Sequence, residues 1–397
     1  MIRLSGLDQE VRAKELSEER HMKKPYLLLT PGPLTTTESV KETMLRDWCT
    51  WDDDYNLGVV QPIRQQLVEL AGCDAENYTS VLMQGSGTFA VESTIGSAVP
   101  ADGKLLVLVN GAYGQRIVEI ASYLNIETVS LSAAEHEWVD VEVLQATLQQ
   151  DPAISHVAMV HCETTSGILN PIESYAGVVK AAGKTLIVDA MSSFGGIGID
   201  VPGLQIDFLI SSANKCIQGV PGMGFVIART ETLLTCEGIA RSLSLDLFAQ
   251  WQAMEQGNGK WRFTSPTHVV RAFQQAIKEL LEEGGINARA KRYAANHKTL
   301  IAGMKAQGFK CVVEDEKQSP FISTFCYPQS SAFDFKTFYE CLKQEGFVIY
   351  PGKVTATPCF RIGHIGEVYP QDMERLLQAI SQHRFWESNH ETENTGA

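Results

Sequence analysis

No apolar run in this 397-residue chain approaches the roughly 18–20 residues needed to cross a bilayer. The first twenty residues, MIRLSGLDQEVRAKELSEER, lack the apolar segment of a secretion signal. Basic residues are scarce: 33 Lys and Arg stand against 47 Asp and Glu, for a net charge of −14. That deficit argues against nucleic acid or an anionic membrane as a partner, since both need basic surface. An anionic small molecule remains admissible, provided that the cations it needs are gathered inside a site. The nine cysteines include no CxxC pair, are odd in number and are scattered from Cys49 to Cys359. This excludes an obvious zinc site or disulfide framework and fits reduced thiols in a cytoplasmic enzyme. Internal repeats and low-complexity tracts are absent as well.

What is present is the composition of a globular protein, 44% hydrophobic and 20% charged, with length enough for two cores. Residues 1–24 read as a polar, flexible extension. Between 25 and 275, helical spacings such as Val60, Ile63, Leu67 and Leu70 alternate with short apolar runs. Leu105–Val109, Val157–Val160, Thr185–Val188, Phe208–Ile210 and Phe225–Ala228 have the character of strands buried on both faces. The pattern predicts an α/β domain with a mostly parallel sheet. From 276 to 386 the order changes to a smaller α+β domain. Its expected elements are a long helix near Ala288–Gln307, strands at Cys311–Val313, Ile322–Phe325, Phe347–Tyr350 and Cys359–Ile362, and helices near Phe335–Glu345 and around Met373–Ile380. The N-terminal segment from Tyr26 is expected to reach that domain, and 387–397 reads as a loose tail.

The chemistry concentrates where strands give way to loops, the edge from which α/β sheets present functional groups. The run Thr185–Val188 ends on Asp189, and Phe208–Ile210 leads through Ser211-Ser212-Ala213-Asn214 to Lys215. An amine and an acid at one sheet edge suit pyridoxal 5'-phosphate, which needs a lysine for its imine and an acid beside its ring nitrogen. Gly85-Ser86-Gly87-Thr88 opens a helical run and has the makings of a phosphate cup, although it lacks the third glycine of a dinucleotide fingerprint and the lysine of a Walker loop. Tyr113, in Asn110-Gly111-Ala112-Tyr113-Gly114, can stack on a flat ring or close a core. Cys162-Glu163-Thr164-Thr165-Ser166-Gly167 offers hydroxyls to a ring oxygen, or forms a plain turn.

Together these stretches resemble the class V (fold-type I) pyridoxal phosphate-dependent aminotransferases. The resemblance extends over residues 26–369 and rests on YLLLTPGPLTT, CTWDDDYNLGVV, YTSVLMQGSG, NGAYGQR, MVHCETTSGILNPI, IVDAMSSFGGI, DFLISSANKCIQGVPG, RSLSLDLFAQW, GKWRFTSPTH, GFVIYPGK and CFRIGHIGEVY. It implies that Lys215 carries the cofactor and Asp189 partners its ring nitrogen. Ser86, Gly87 and Thr88 would hold the phosphate, Tyr113 would lie on the ring face, and Thr164 would bond the phenolic oxygen. Thr264 would reach the phosphate of a neighbouring subunit, which implies a homodimer, and Arg361 would bind the substrate's acidic group. Within the family the resemblance is narrower, to the members that act on phosphonates. It implies 2-aminoethylphosphonate as amino donor and pyruvate as acceptor.

Other residues are expected to do less. Asp52-Asp53-Asp54 reads as a solvated or loop-structuring run, and His161 as a hydrogen-bonded core histidine. His364 lies close enough to Arg361 in sequence to be a substrate contact. Trp51 and Trp261 are expected to pack at a subunit interface. An alanine:glyoxylate aminotransferase is the competing enzyme reading. A cysteine desulfurase would need a histidine where Tyr113 stands, and a binding protein without activity would not need both Asp189 and Lys215.

Overall fold

A computed structural model describes residues 26–352, 354 and 357–387. The extension expected at 1–24 and the tail from 388 onward lie outside the described residues. The frame of the large domain is a seven-stranded sheet of β2 (Tyr78–Gln84), β3 (Lys104–Val109), β4 (Glu127–Ser132), β5 (Ile154–Val160), β8 (Thr185–Asp189), β9 (Phe208–Ser212) and β10 (Met223–Arg229), in the order β2-β10-β9-β8-β5-β3-β4. All the strands run the same way except β10, which is antiparallel to both β9 and β2. The short hairpin β6 (Cys162–Glu163) and β7 (Ile168–Leu169) follows β5.

The five apolar runs seen in the sequence are all strands, because each can bury alternate side chains in opposite layers. In β8, Leu186 and Val188 enter one core cluster with Ile63, Leu67, Tyr175 and Phe273, while Ile187 enters the other with Ala90, Ile95 and Ile117. Each such buried aliphatic contributes roughly 1.5–3 kcal/mol. The helices that cover the sheet include α1 (Gln61–Leu70), α2 (Gly87–Ala98), α3 (Ala112–Tyr123), α4 (Val141–Gln150), α5 (Ile172–Ala181), α6 (Leu247–Gln256) and α7 (Thr267–Glu282). Trp261 is 7% exposed and belongs to the core of this domain, which corrects the expectation of an interface role. Trp51 is exposed, with the Lys260 amine 3.8 Å from its ring centre.

The α+β portion contains α8 (Gly285–Ala306), β11 (Ile322–Cys326), α9 (Phe335–Gln344), β12 (Phe347–Val348), β13 (Tyr350–Pro351), β14 (Cys359–Gly363) and α10 (Pro370–Gln382). Two expectations need correction. Cys311–Val313 forms only an isolated bridge, from Cys311 to Phe325. The run expected as one strand at Phe347–Tyr350 divides at Ile349: β12 pairs in parallel with β1 (Leu27–Leu28), and β13 pairs with β14. The start of the described chain is thereby stitched into the small domain, and Leu29 is in its core. From there the chain runs through Thr30–Pro33 to the edge of the large sheet where Lys215 lies.

Candidate active site

Every sequence-predicted group of the large domain except Thr264 lies at or just beyond the carboxyl ends of the parallel strands. Ser86 follows β2 and is the N-cap of α2, so the amides of Gly87 and Thr88 precede the first intrahelical bond. Tyr113 follows β3 in the first turn of α3, Thr164 sits in the hairpin after β5, Asp189 ends β8, and Lys215 follows β9. A cavity of about 180 Å³ is lined by Ser86, Gly87, Thr88, Tyr113, Asp189 and Lys215, together with Arg116, Met191, Ser212 and Asn214. A larger hollow of about 790 Å³ lies in the small domain among Phe309, Tyr327 and Trp386, away from these groups.

The buried acid and the half-buried amine both lack an ion-pair partner among the described residues. Asp189 is 6% exposed, and its Oδ1 accepts one bond, from the Met191 amide at 2.9 Å. Burial pushes its carboxyl up to about 6. Lys215 donates from Nζ to the Pro31 carbonyl at 2.5 Å, and burial pulls its amine down to about 8. The loop that supplies this carbonyl needs Gly32. Its φ is +122°, and a Cβ there would lie 2.9 Å from both Cδ and Nζ of Lys215.

Arg361, on β14, is 1% exposed. It donates from Nε to the Pro351 carbonyl at 3.0 Å and from Nη1 to the Thr164 carbonyl at 2.8 Å, and its guanidinium carbon is 5.1 Å from the Tyr350 ring centre. Desolvation lowers its pKa from the usual arginine value. Thr164 therefore meets Arg361 through its backbone, and neither residue lines the cavity itself. Thr264 is exposed, in the stretch before α7, and is not brought to the cavity within this chain.

Arg116 and Ser212 are among the lining residues to which the sequence reading assigned no role. Arg116 donates from Nη1 to Thr88 Oγ1 at 3.3 Å and places its guanidinium carbon 4.8 Å from the Tyr113 ring centre. The signal was available, since Tyr113 and Arg116 are three apart on one helix face. Ser212, also in the cavity lining, has a buried hydroxyl with no hydrogen-bond partner.

The family described as aminotransferase class-V matches residues 59–369. The chain belongs to the class-V aminotransferases. It is 61% identical over 366 residues to the 2-aminoethylphosphonate–pyruvate transaminase of Vibrio vulnificus, covering 92% of this chain and 100% of that one. It is 58% identical over 359 residues to the enzyme of the same name from Bacteroides fragilis, covering 90% and 99%. Among solved structures, the fold is similar to pyridoxamine–pyruvate aminotransferase from Mesorhizobium loti, with a TM-score of 0.83, 23% identity and 91% and 92% of the two chains covered. It is also similar to alanine–glyoxylate aminotransferase from a Nostoc species, with a TM-score of 0.82, 23% identity and 91% and 95% covered.

In this class-V chain the small domain is tied to the lysine loop by a buried polar network. From α8, Arg289 donates to the Cys216 carbonyl at 2.7 Å, and Arg292 to the carbonyls of Gly366 and Val368 at 2.8 and 2.9 Å. Arg292 also donates to Gln218 Oε1 at 2.7 Å, as does the Tyr293 hydroxyl at 3.1 Å. One helix thus holds both the segment after Lys215 and the segment after Arg361. His161 is a core histidine bonded to Ser193 at 2.9 Å. His364 is fully buried, with Nε2 3.1 Å from Ser323 Oγ and its ring tilted at 34° to that of His297 with 5.2 Å between centres, and it does not line the cavity. Asp54 pairs with Arg46 at the surface, and no group of acids, histidines or cysteines suited to a metal occurs among the described residues.

Proposed function

We propose that this chain transfers the amino group of 2-aminoethylphosphonate to pyruvate, giving phosphonoacetaldehyde and alanine, with pyridoxal 5'-phosphate as cofactor. The reading places it in cytoplasmic phosphonate breakdown, as a homodimer in which Thr264 reaches the neighbouring subunit's cofactor phosphate. The observation that carries it is the pair of uncompensated groups, Lys215 and Asp189, on adjacent strand ends. A helix start for a phosphate lies on one side of the pair, and Arg361 comes from the small domain. Relatives up to 61% identical over their full length support the substrate assignment.

A phosphorylated pyridine fits the cavity's own unmet needs. Asp189 lacks a cationic partner, the α2 amides and Arg116 face a would-be anion, and Ser212 has an unused hydroxyl. When bound, the cofactor supplies an electron sink and a carbon that can take up an amino group. Asp189 would hold the proton on the ring nitrogen, Tyr113 would pack against the ring, and Thr164 would be the partner for its phenolic oxygen. Lys215, whose amine has a pKa lowered by burial, would hold the cofactor and would move the proton from the donor's amine-bearing carbon. Arg361 receives the phosphonate of the donor and then the carboxylate of pyruvate, since a planar guanidinium bonds either in bidentate fashion. Its bonds to Pro351 and Thr164 use Nε and one N–H of Nη1, so the second Nη1 hydrogen and Nη2 remain for the two oxygens of the substrate's acid. The backbone of Thr30–Pro33, beside Lys215, assists.

The test is donor profiling with pyruvate as acceptor, comparing 2-aminoethylphosphonate with alanine, serine and taurine. The phosphonate is expected to give the highest kcat/KM. A clear preference for alanine with glyoxylate as acceptor would replace this reading with the alanine:glyoxylate one.

A further inference from the structure

Glu163 carries a carboxylate that none of the roles above uses. It is fully buried at the end of β6, behind the wall made by Tyr113 and Thr164. Its Oε2 accepts the amides of Tyr113 at 3.0 Å and Gly114 at 3.2 Å, both in the first turn of α3. Its Oε1 accepts the Thr165 amide at 3.1 Å and the Thr165 hydroxyl. The same hydroxyl oxygen accepts the Ala112 amide at 3.1 Å. Between Glu163 and Thr165 lies the Thr164 carbonyl that takes the bond from Arg361. A single carboxylate therefore joins the tyrosine of one wall to the peptide on which the arginine rests.

The chemistry of this junction requires an acid. All four groups that reach Glu163 are donors, and only a carboxylate accepts at both oxygens; an amide would set an NH₂ against donors on one side. Burial raises the Glu163 carboxyl above its ordinary value, and the Thr165 hydroxyl and the amides of Thr165, Gly114 and Tyr113 oppose that rise. The backbone is also shaped around it, for a Cβ at Gly111 would stand 2.3 Å from Glu163 Cγ and 2.4 Å from Cδ. We infer that Glu163 is a positioning residue for the reaction: its carboxylate locks Tyr113 to the Thr164–Thr165 peptide and so sets where Arg361 presents its guanidinium to an acidic substrate. This rests on the reading of Arg361 as the receiver of the substrate acid.

The holoenzyme variants Glu163→Gln and Thr165→Val test it, with ethylphosphonate, the donor without its amine, as an unreactive probe followed by the change in cofactor absorbance. The expected result is a Kd for ethylphosphonate raised about tenfold in Glu163→Gln and about threefold in Thr165→Val, tenfold being about 1.4 kcal/mol. The Kd for pyridoxal 5'-phosphate should stay within about threefold of wild type in both. A lower melting temperature with unchanged ethylphosphonate affinity would make Glu163 a helix cap only and overturn the proposal. If Glu163→Gln does not fold, an unchanged affinity in Thr165→Val overturns it instead. If the wild-type enzyme binds propionate but not ethylphosphonate, the donor assignment fails, and the same comparison made with propionate decides for or against Glu163.

Discussion

Asp189 and Asp207 are two buried aspartates at opposite ends of the same sheet, 6% and 4% exposed. Asp207 precedes β9 and is saturated. Lys180 Nζ lies at 2.6 Å, the Leu186 amide at 2.7 Å, the Thr232 hydroxyl at 3.1 Å and Arg229 Nε at 3.5 Å. Asp189 ends β8 and takes a single amide bond. The amino end of the sheet has its charge compensated within the chain, so it serves stability. At the carboxyl end the acid, the Lys215 amine and the Ser212 hydroxyl are left short of partners, which costs folding energy and leaves them for a ligand.

The contrast can be broken at several points. The largest effect should come from Lys215→Ala, expected to lower transamination about a thousandfold or more and to remove the covalent cofactor absorbance band, with folding intact by circular dichroism. Next, Arg361→Ala should raise KM for both the phosphonate and pyruvate about 10- to 100-fold, the weight of a charge-assisted hydrogen bond; unchanged kcat/KM for both substrates would remove Arg361 from the site. Asp207→Asn should cost about 2 kcal/mol in urea unfolding, because it takes the charge from the buried partner of the half-buried Lys180 and Arg229, while the cofactor Kd stays near wild type.

Asp189→Asn should do the reverse. In protein stripped of cofactor it is expected to gain about 1–2 kcal/mol at pH 7, while turnover in the loaded enzyme collapses. The sign follows from the raised carboxyl. With a folded value of about 6 against 3.8 unfolded, the folded state holds the extra proton, so stability falls as pH rises from about 4 through 6. Thermal melts of the stripped wild-type protein should show that fall, and those of Asp189→Asn should lack it. The smallest effect belongs to Lys305→Ala, which removes an exposed pair with Asp315 at 2.6 Å and should leave the urea unfolding midpoint unchanged within experimental error.

Much of this arrangement was legible in the chain. Apolar runs that end on Asp189 or lead to Lys215 mark buried strands and their exits, and Gly85–Thr88 marks a helix start. These are local signals, carried by residues within one element. What stayed hidden depends on partners far away in sequence. The antiparallel course of β10 cannot be read from Phe225–Ala228, since a strand buried on both faces looks alike in either direction. Phe347–Tyr350 reads as one strand because its division at Ile349 is imposed by β1 and β14. Trp261 looks like interface material until the core that encloses it is assembled. Glu163 looks like a turn residue until α3 arrives with its amides.

The sequence by itself determined which residue stands at each strand end, because alternating burial commits every side chain of a strand to a face, and the turn chemistry commits where the strand stops. It could not tell Asp189 from Asp207, since each simply adjoins an apolar run. Only the tertiary structure decided that one is surrounded by Lys180, Arg229 and backbone donors while the other is not, because compensation of a buried charge is a property of what distant segments bring within about 3 Å of it.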